Sequence, residues 1–343
     1  MNLRYAYIST TVKVFGETGA RFLADLPALI DEASARWGLT NIQPVPNLSY
    51  NFVAFAESLS PFGRSRSTSK GRVRGEGENK VVLKIGIPRK ELTSEIAALR
   101  SFNGEGACKL IDFDEEKGFI LLERLKPGET LATLKDDDEA TRIAAETMKR
   151  VWRSLDHVTL SPEGAKGLDH VGGDPSLSLR MTNQSKFIQL ADWFDGLKRL
   201  RKMFNGGTGP LDEKLVARVE QSTKEFFAEN HSPILMHGDL HHFNILSSGR
   251  GWLAIDPKGV IGPACYEIGP LMMNPWGMSL QSSRLKLRMK RRVDILHEHL
   301  EFERERIIEW SIAHAILSAW WGIEDQTGWE YSMRFAELFS TLK

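Results

Sequence analysis

Cysteine is almost absent from this chain. Its 343 residues hold two, Cys108 and Cys265, far apart and without the paired spacing of a metal site. That excludes a disulfide framework and fits a reducing compartment. An excess of one charge is missing too, because Lys plus Arg and Asp plus Glu number 45 each. No global field would gather nucleic acid or an acidic surface. No run approaches the ~18 apolar residues that cross a bilayer. The opening MNLRYAYISTTVKVF lacks the apolar core of a signal peptide. These absences predict a cytoplasmic protein without nucleic-acid or membrane partners, and they leave the oligomeric state open. What remains is an ordinary globular composition, 41% hydrophobic and 26% charged, with length for two lobes and no internal repeat.

One stretch concentrates the chemistry: residues 234–266, ILMHGDLHHFNILSSGRGWLAIDPKGVIGPACY. An apolar run, Ile234-Leu235-Met236, leads into His237, Gly238, Asp239, His241, His242 and Asn244. A second run, Trp252-Leu253-Ala254-Ile255, delivers Asp256. Polar side chains this dense between two buried-strand patterns make a poor core and a good site. Phosphoryl transfer from ATP needs such a set: one Asp to orient the attacking hydroxyl, and an Asn and a second Asp to hold magnesium through oxygen. Protein kinases space these groups as H-R-D-x-x-x-x-N followed by a strand-end Asp. His237-Gly238-Asp239, Asn244 and Asp256 keep that order and interval. The spacing assigns Asp239 as base and Asn244 with Asp256 as magnesium ligands. His241 reads either as a charge-stabilising group for the γ-phosphate or as a loop brace. His237 reads as structural, and the role of Lys258 stays open.

Gly238, and Asp256-Pro257-Lys258 in place of D-F-G, look like the antibiotic kinases that share the protein-kinase fold. Within these, HGDLHxxN…IDPK…GPACYE resembles the aminoglycoside/hydroxyurea antibiotic resistance kinase family, the streptomycin 6-kinase group. The resemblance implies an α+β, two-lobed protein-kinase-like fold, with a small β-rich N-terminal lobe and a larger, mostly helical C-terminal lobe. It implies ATP and Mg2+ as cofactors and a small-molecule hydroxyl as acceptor, an aminoglycoside of the streptomycin type. A kinase of another hydroxylated metabolite, or a silent kinase-like binding protein, are the alternatives. Glu267 stands where the family commonly has Asp, in a position that would brace the catalytic loop.

The rest of the chain fits around this stretch. Lys80–Ile85 reads as a strand, and Lys84 within it needs a charged partner. Glu95 lies eleven residues on, in a helix predicted over Arg89–Phe102. The pair matches the kinase grip on the α- and β-phosphates. Upstream, Phe22–Trp37 has the apolar spacing of a helix closed by Gly38. Two strands then flank a turn at 47–51, where the resemblance puts the nucleotide-covering hairpin with Ser49, Tyr50 and Asn51. Residues 58–80 are basic and Gly/Ser-rich and read as an inserted solvated loop, because no helix start follows their glycines. The apolar strand over 118–125 is broken by Lys126-Pro127-Gly128, so in a kinase-like fold the backbone of Glu123, Arg124 and Leu125 is the adenine hinge. The lobes accordingly fall at 1–125 and 126–343.

Beyond residue 126 the pattern is helical: 139–155, 187–204, 211–229, 310–323 and 328–342, with a loop over 157–183. The basic run Arg284–Arg292 reads as a solvated helix face balanced by Glu298–Glu309, and His314 as a satisfied core histidine. The resemblance puts the end of the Trp-rich helix, SAWWGIEDQTG, near the acceptor pocket. Glu324, Asp325 and Glu330 are therefore the carboxylates expected to pair with guanidinium groups. Zinc held by His237, His241 and His242 is disfavoured, since the zincin pattern needs Glu where Gly238 stands.

Overall fold

A computed structural model of the chain describes residues 5–59, 80–157, 185–229, 232–278 and 283–342. Nearly all of the 58–80 insertion and of the 157–183 loop lies outside the described residues. The first element is α1, Tyr5–Trp37. It begins well before the expected Phe22 and is two helices joined at Gly16, whose φ of 55° and ψ of −133° leave helical space. Its second half places Phe22, Leu26, Ile30, Ala33 and Trp37 on one buried stripe.

That stripe covers one face of an antiparallel sheet. β1 (Leu39–Pro44), β2 (Phe52–Ser58) and β3 (Lys80–Ile85) precede α2 (Lys90–Phe102), and β4 (Leu110–Asp114) and β5 (Phe119–Glu123) follow. The strand order is β1-β2-β3-β5-β4. The two-residue period of a strand decides what each face does. Phe52, Ala54, Val81, Leu83 and Ile85 meet α1. The opposite face carries Val82 and packs with Ile120 and Leu122 against Leu92, Ile96 and Leu99 of α2. Lys84 shares the phase of Val82, so the alternation itself aims it away from the α1 core.

After Glu123 the chain leaves this sheet. β6 (Pro127–Thr130) pairs with Leu246 and Ser248 of the second region, so residues 124–126 form the link. There follow α3 (Asp137–Val151), β7 (Arg153–Ser154), β8 (Ile188–Gln189), α4 (Leu190–Phe194), α5 (Gly196–Met203) and α6 (Glu213–Ala228). The central stretch supplies β9 (Ile234–Met236), β10 (Ile245–Ser248), β11 (Gly251–Ala254) and β12 (Val260–Gly262). The chain closes with α7 (Ile268–Met272), α8 (Ser283–Leu300), α9 (Arg304–Glu324) and α10 (Glu330–Ser340). Two small sheets, β11-β10-β6 and β7-β9-β12-β8, hold the polar loops over a helical core in which Trp310 and Trp320 are fully buried.

Two expectations are corrected here. The single helix over 187–204 is a two-residue strand and two short helices, because Ile188 and Gln189 pair in parallel with Val260 and Ile261. The basic run is exposed at Arg284, Arg288, Lys290 and Arg291, as expected, but Arg292 is not part of a solvated face and the acidic partners are not those of Glu298–Glu309. Arg291 bonds Asp138 at 2.8 Å, and Arg292, wholly buried, bonds Asp137 with both Nε and Nη2. The acidic first turn of α3, capped by the Asp136 carboxylate, is the partner.

Candidate active site

The loop 237–244 is fixed from below before it offers any chemistry. His237 is fully buried. Its Nε2 donates to the Ile255 carbonyl at 2.8 Å, and its Nδ1 accepts the Asp239 N–H at 3.2 Å. One neutral tautomer makes both bonds. Burial pushes the imidazole down to about 3, which keeps it in that form. Gly238 has φ 87°, and a Cβ there would lie 2.3 Å from Val260 Cγ2, so glycine alone lets the loop lie against β12. Glu267 sits beneath and accepts the His237 and Gly238 N–H groups at 2.7 and 2.8 Å. Burial pushes its carboxyl up to about 8 against these amide donors. Glu267 thus braces the loop, as its position in the sequence suggested.

The three central polar groups converge above this base. Asp239 lines a cavity with its carboxylate, which burial pushes up while His241 and Lys258 oppose the shift. His241 Nε2 stands 3.7 Å from Asp239 Oδ1, and its Nδ1 accepts the Phe243 N–H. Asn244 Nδ2 donates to the Asp239 carbonyl at 2.9 Å, which leaves Oδ1 as the atom Asn244 offers a ligand. Hairpin β10–β11 turns the chain back, and Asp256 emerges with φ 58°. Burial works against its charge, yet the Lys258 and Lys84 ammoniums hold its carboxyl well below the usual carboxylate range. The three histidines that a zinc site would need diverge: His237 turns to Ile255, His241 to Asp239 and His242 to Arg292.

Lys84 crosses from the other region. Its Nζ lies 2.6 and 2.7 Å from the two Glu95 oxygens and also contacts Asp256 Oδ1. Lys84 and Glu95 are 4% and 5% exposed, so neither charge is tolerable without the other. The turn before β2 lies over this pair, with Ser49 exposed, Tyr50 on the cavity wall and Asn51 packed on Gly86. At the hinge, Arg124 stacks its guanidinium 3.8 Å from the Phe55 ring centroid, and Leu125 is buried. The Glu123 N–H is committed to the Lys109 carbonyl at 3.0 Å. That narrows the expected adenine edge to the Glu123 carbonyl and the backbone of 124–125. Val82, Leu246 and Ile255 are partly buried against the cluster formed by α2 and Leu122 and Leu125.

The cavity in front of Asp239 measures about 650 Å³. Of the three expected carboxylates, only Asp325 lines it. Glu324 is turned to Arg199, which holds both its oxygens at 2.8 and 3.0 Å. Glu330 folds back to accept the Trp329 N–H at 3.0 Å. Glu91, Trp193, Trp276 and, from α1, Val14 also line this wall, and no local sequence signal points to them. His314 lines it too, while its Nδ1 bonds the buried Tyr266 hydroxyl at 3.1 Å. Arg292 was missed as well. Besides Asp137 it binds the Leu271 and Asn274 carbonyls and reaches His242 Nε2 at 3.3 Å, so it anchors the loop that carries Asp239. Their spacing, 155 residues between Asp137 and Arg292, leaves no local signal.

Comparisons with known proteins agree with this geometry. The family model for aminoglycoside/hydroxyurea antibiotic resistance kinases matches residues 58–162 and 180–326. A streptomycin 6-kinase of Streptomyces griseus is 30% identical over 311 residues, 90% of this chain and 87% of that one. A hydroxyurea phosphotransferase of Kitasatospora aureofaciens is 26% identical over 324 residues, 93% of this chain and 79% of that one. Among solved structures, a choline kinase of Streptococcus pneumoniae superposes with a TM-score of 0.53 at 13% identity, covering 92% of this chain and 99% of that one. That likeness shows the fold. Among the described residues no helix is long and apolar enough to cross a membrane. The chain belongs to the aminoglycoside/hydroxyurea antibiotic resistance kinase family and is an enzyme of that class, a phosphotransferase on a two-lobed protein-kinase-like fold.

Proposed function

We propose that this enzyme moves the γ-phosphoryl group of ATP to a hydroxyl of a cationic aminoglycoside of the streptomycin type, in the cytoplasm. One observation carries the reading: Asp239 opens onto a cavity of about 650 Å³, with Asn244, Asp256 and Lys84 clustered behind it. Such a volume suits a drug-sized acceptor. Asp239 aligns the acceptor hydroxyl and takes its proton late, as a loose transition state asks. The bond from γ-phosphorus to the β–γ bridging oxygen breaks as the bond to the acceptor oxygen forms, and ADP leaves.

The remaining residues position and shield. Lys84, held by Glu95, meets the α- and β-phosphates, and the turn of Ser49, Tyr50 and Asn51 covers them. The backbone of Glu123, Arg124 and Leu125 would hold adenine, with Val82 and Leu246 as nearby apolar side chains. Asn244 Oδ1 and the ionised Asp256 are oxygen donors and fit Mg2+. When bound, the ion neutralises charge on the phosphates. His241 flanks Asp239 on the cavity wall, its Nε2 3.7 Å from Asp239 Oδ1, where it could face the γ-phosphoryl group. The acceptor side offers Asp325 and Glu91 as carboxylates and Trp193, Trp276 and Trp321 as ring faces, a chemistry suited to guanidinium groups. The activity of the streptomycin 6-kinase relatives points the same way. The test is ADP release by the purified protein with Mg-ATP and a panel of hydroxylated acceptors. Stimulation by streptomycin above choline, hydroxyurea and simple sugars is expected. A panel in which streptomycin is inert would remove the aminoglycoside assignment.

A further inference from the structure

Lys258 is a charged residue of the central stretch that lines the cleft and that the mechanism above leaves without a task. Its place is unusual. It lines the acceptor cavity beside Asp239 and also the small pocket beneath Tyr50 and Asn51. It therefore stands on the wall that the two spaces share, where a phosphoryl group would pass from nucleotide to acceptor. Its stem lies directly against the catalytic loop, since a Cβ on Gly238 would come within 3.3 Å of Lys258 Cβ. The Lys258 N–H donates to the His237 carbonyl at 2.7 Å, which fixes the residue's backbone to the same loop.

Its ammonium is less committed than its neighbour's. Lys84 contacts both Glu95 oxygens and Asp256 and is almost wholly buried. Lys258 Nζ stands 3.8 Å from Asp256 Oδ2, beyond hydrogen-bond reach, and its side chain is 31% exposed to the cleft. A cation held near, but not bonded to, a carboxylate retains donors for a ligand.

We propose that Lys258 is a catalytic residue whose ammonium contacts the γ-phosphoryl oxygens, stabilising the charge that spreads over them during transfer. Preorganised cations at that point act on the transition state more than on the bound nucleotide. This inference rests on the reading of the site as an ATP-dependent kinase. The rival role is a purely structural one, in which Lys258 only neutralises Asp256. The two differ in a measurable way, because a γ-directed contact is blind to ADP.

The experiment compares Lys258→Met and Lys258→Arg with the parent. Calorimetry with Mg-ADP and with the imido analogue of Mg-ATP gives the affinities, and initial rates give kcat and KM. Expected for Lys258→Met are an ADP Kd within ~2-fold, an analogue Kd weakened at least ~5-fold, and kcat reduced at least ~100-fold at saturating ATP. Lys258→Arg, which keeps the charge, should recover part of the discrimination between the two nucleotides. Equal weakening of ADP and analogue would overturn the proposal in favour of the structural role. So would a kcat within ~3-fold of the parent. A melting temperature matching the parent's verifies that the variant is folded. Asp239→Asn runs alongside: if that variant turns over normally, the kinase reading of the site fails whatever Lys258 does.

Discussion

Asp325 and Glu324 are adjacent in sequence and have opposite fates, which makes a sharp test of the acceptor site. Asp325 lines the cavity, and burial followed by the Glu324 and Glu91 carboxylates pushes its own carboxyl up. A guanidinium at that place would relieve the crowding of negative charge. A hydrogen bond to a charged group contributes ~1.5–3 kcal/mol. Asp325 is solvent-accessible, so screening reduces this to about 1–2 kcal/mol. Asp325→Asn should therefore raise KM for a cationic acceptor roughly 5- to 30-fold. Glu324→Gln removes an exposed ion pair with Arg199, at a cost of at most ~1 kcal/mol of stability. It should leave the acceptor KM within ~2-fold of the parent, because its carboxylate never reaches the cavity. The assay is initial-rate ADP release with streptomycin at saturating ATP, with KM for ATP as control. If Glu324→Gln raised the acceptor KM as much as Asp325→Asn, or if Asp325→Asn changed nothing, the placement of the acceptor would be refuted.

Two further outcomes follow from the buried polar groups. Arg292→Met leaves Asp137 and two carbonyls without their buried partner, so it should destabilise the protein by ~3–5 kcal/mol in urea unfolding. An unchanged midpoint would show that the anchor carries no load. Acid should also destabilise the fold: His237, His242 and His314 are all pushed down to about 3 by burial, from an ordinary 6.5. A depressed folded-state value means that stability is complete above about pH 6.5 and is lost as pH falls toward 3. At pH 5 each histidine costs about 2 kcal/mol, while Glu267, whose raised carboxyl gains from acid, returns about 2 kcal/mol. Across these four groups the loss is about 4 kcal/mol, which should appear as a fall in melting temperature between pH 7 and 5, and a flat profile would contradict it.

The parts of this enzyme that were legible in its sequence are those whose signal is local. Asp239, Asn244 and Asp256 fall within a hairpin's reach of one another, so their spacing is dictated by one loop and one turn. Lys84 and Glu95 were legible because strand period and helix phase are also local properties. What escaped depended on distant partners. The two-residue strand at Ile188 exists only because Val260 accepts it as a neighbour, and nothing in so short a segment is periodic. The first half of α1 was hidden by the break at Gly16, which interrupts the helical repeat. Arg292 looked like one more solvated basic residue until the acidic end of α3 was placed against it. Glu324 and Asp325 were interchangeable on paper, and Arg199, 125 residues away, is what turns one of them aside.

The central claim is that Asp239 handles the acceptor hydroxyl in a kinase site assembled around it. Asp239→Asn tests it most directly, measured as single-site turnover with Mg-ATP and streptomycin beside ATP affinity by calorimetry. The account predicts turnover reduced at least ~100-fold, the scale of a positioned acid–base group, with ATP affinity within a few-fold of the parent. Turnover near that of the parent would contradict it.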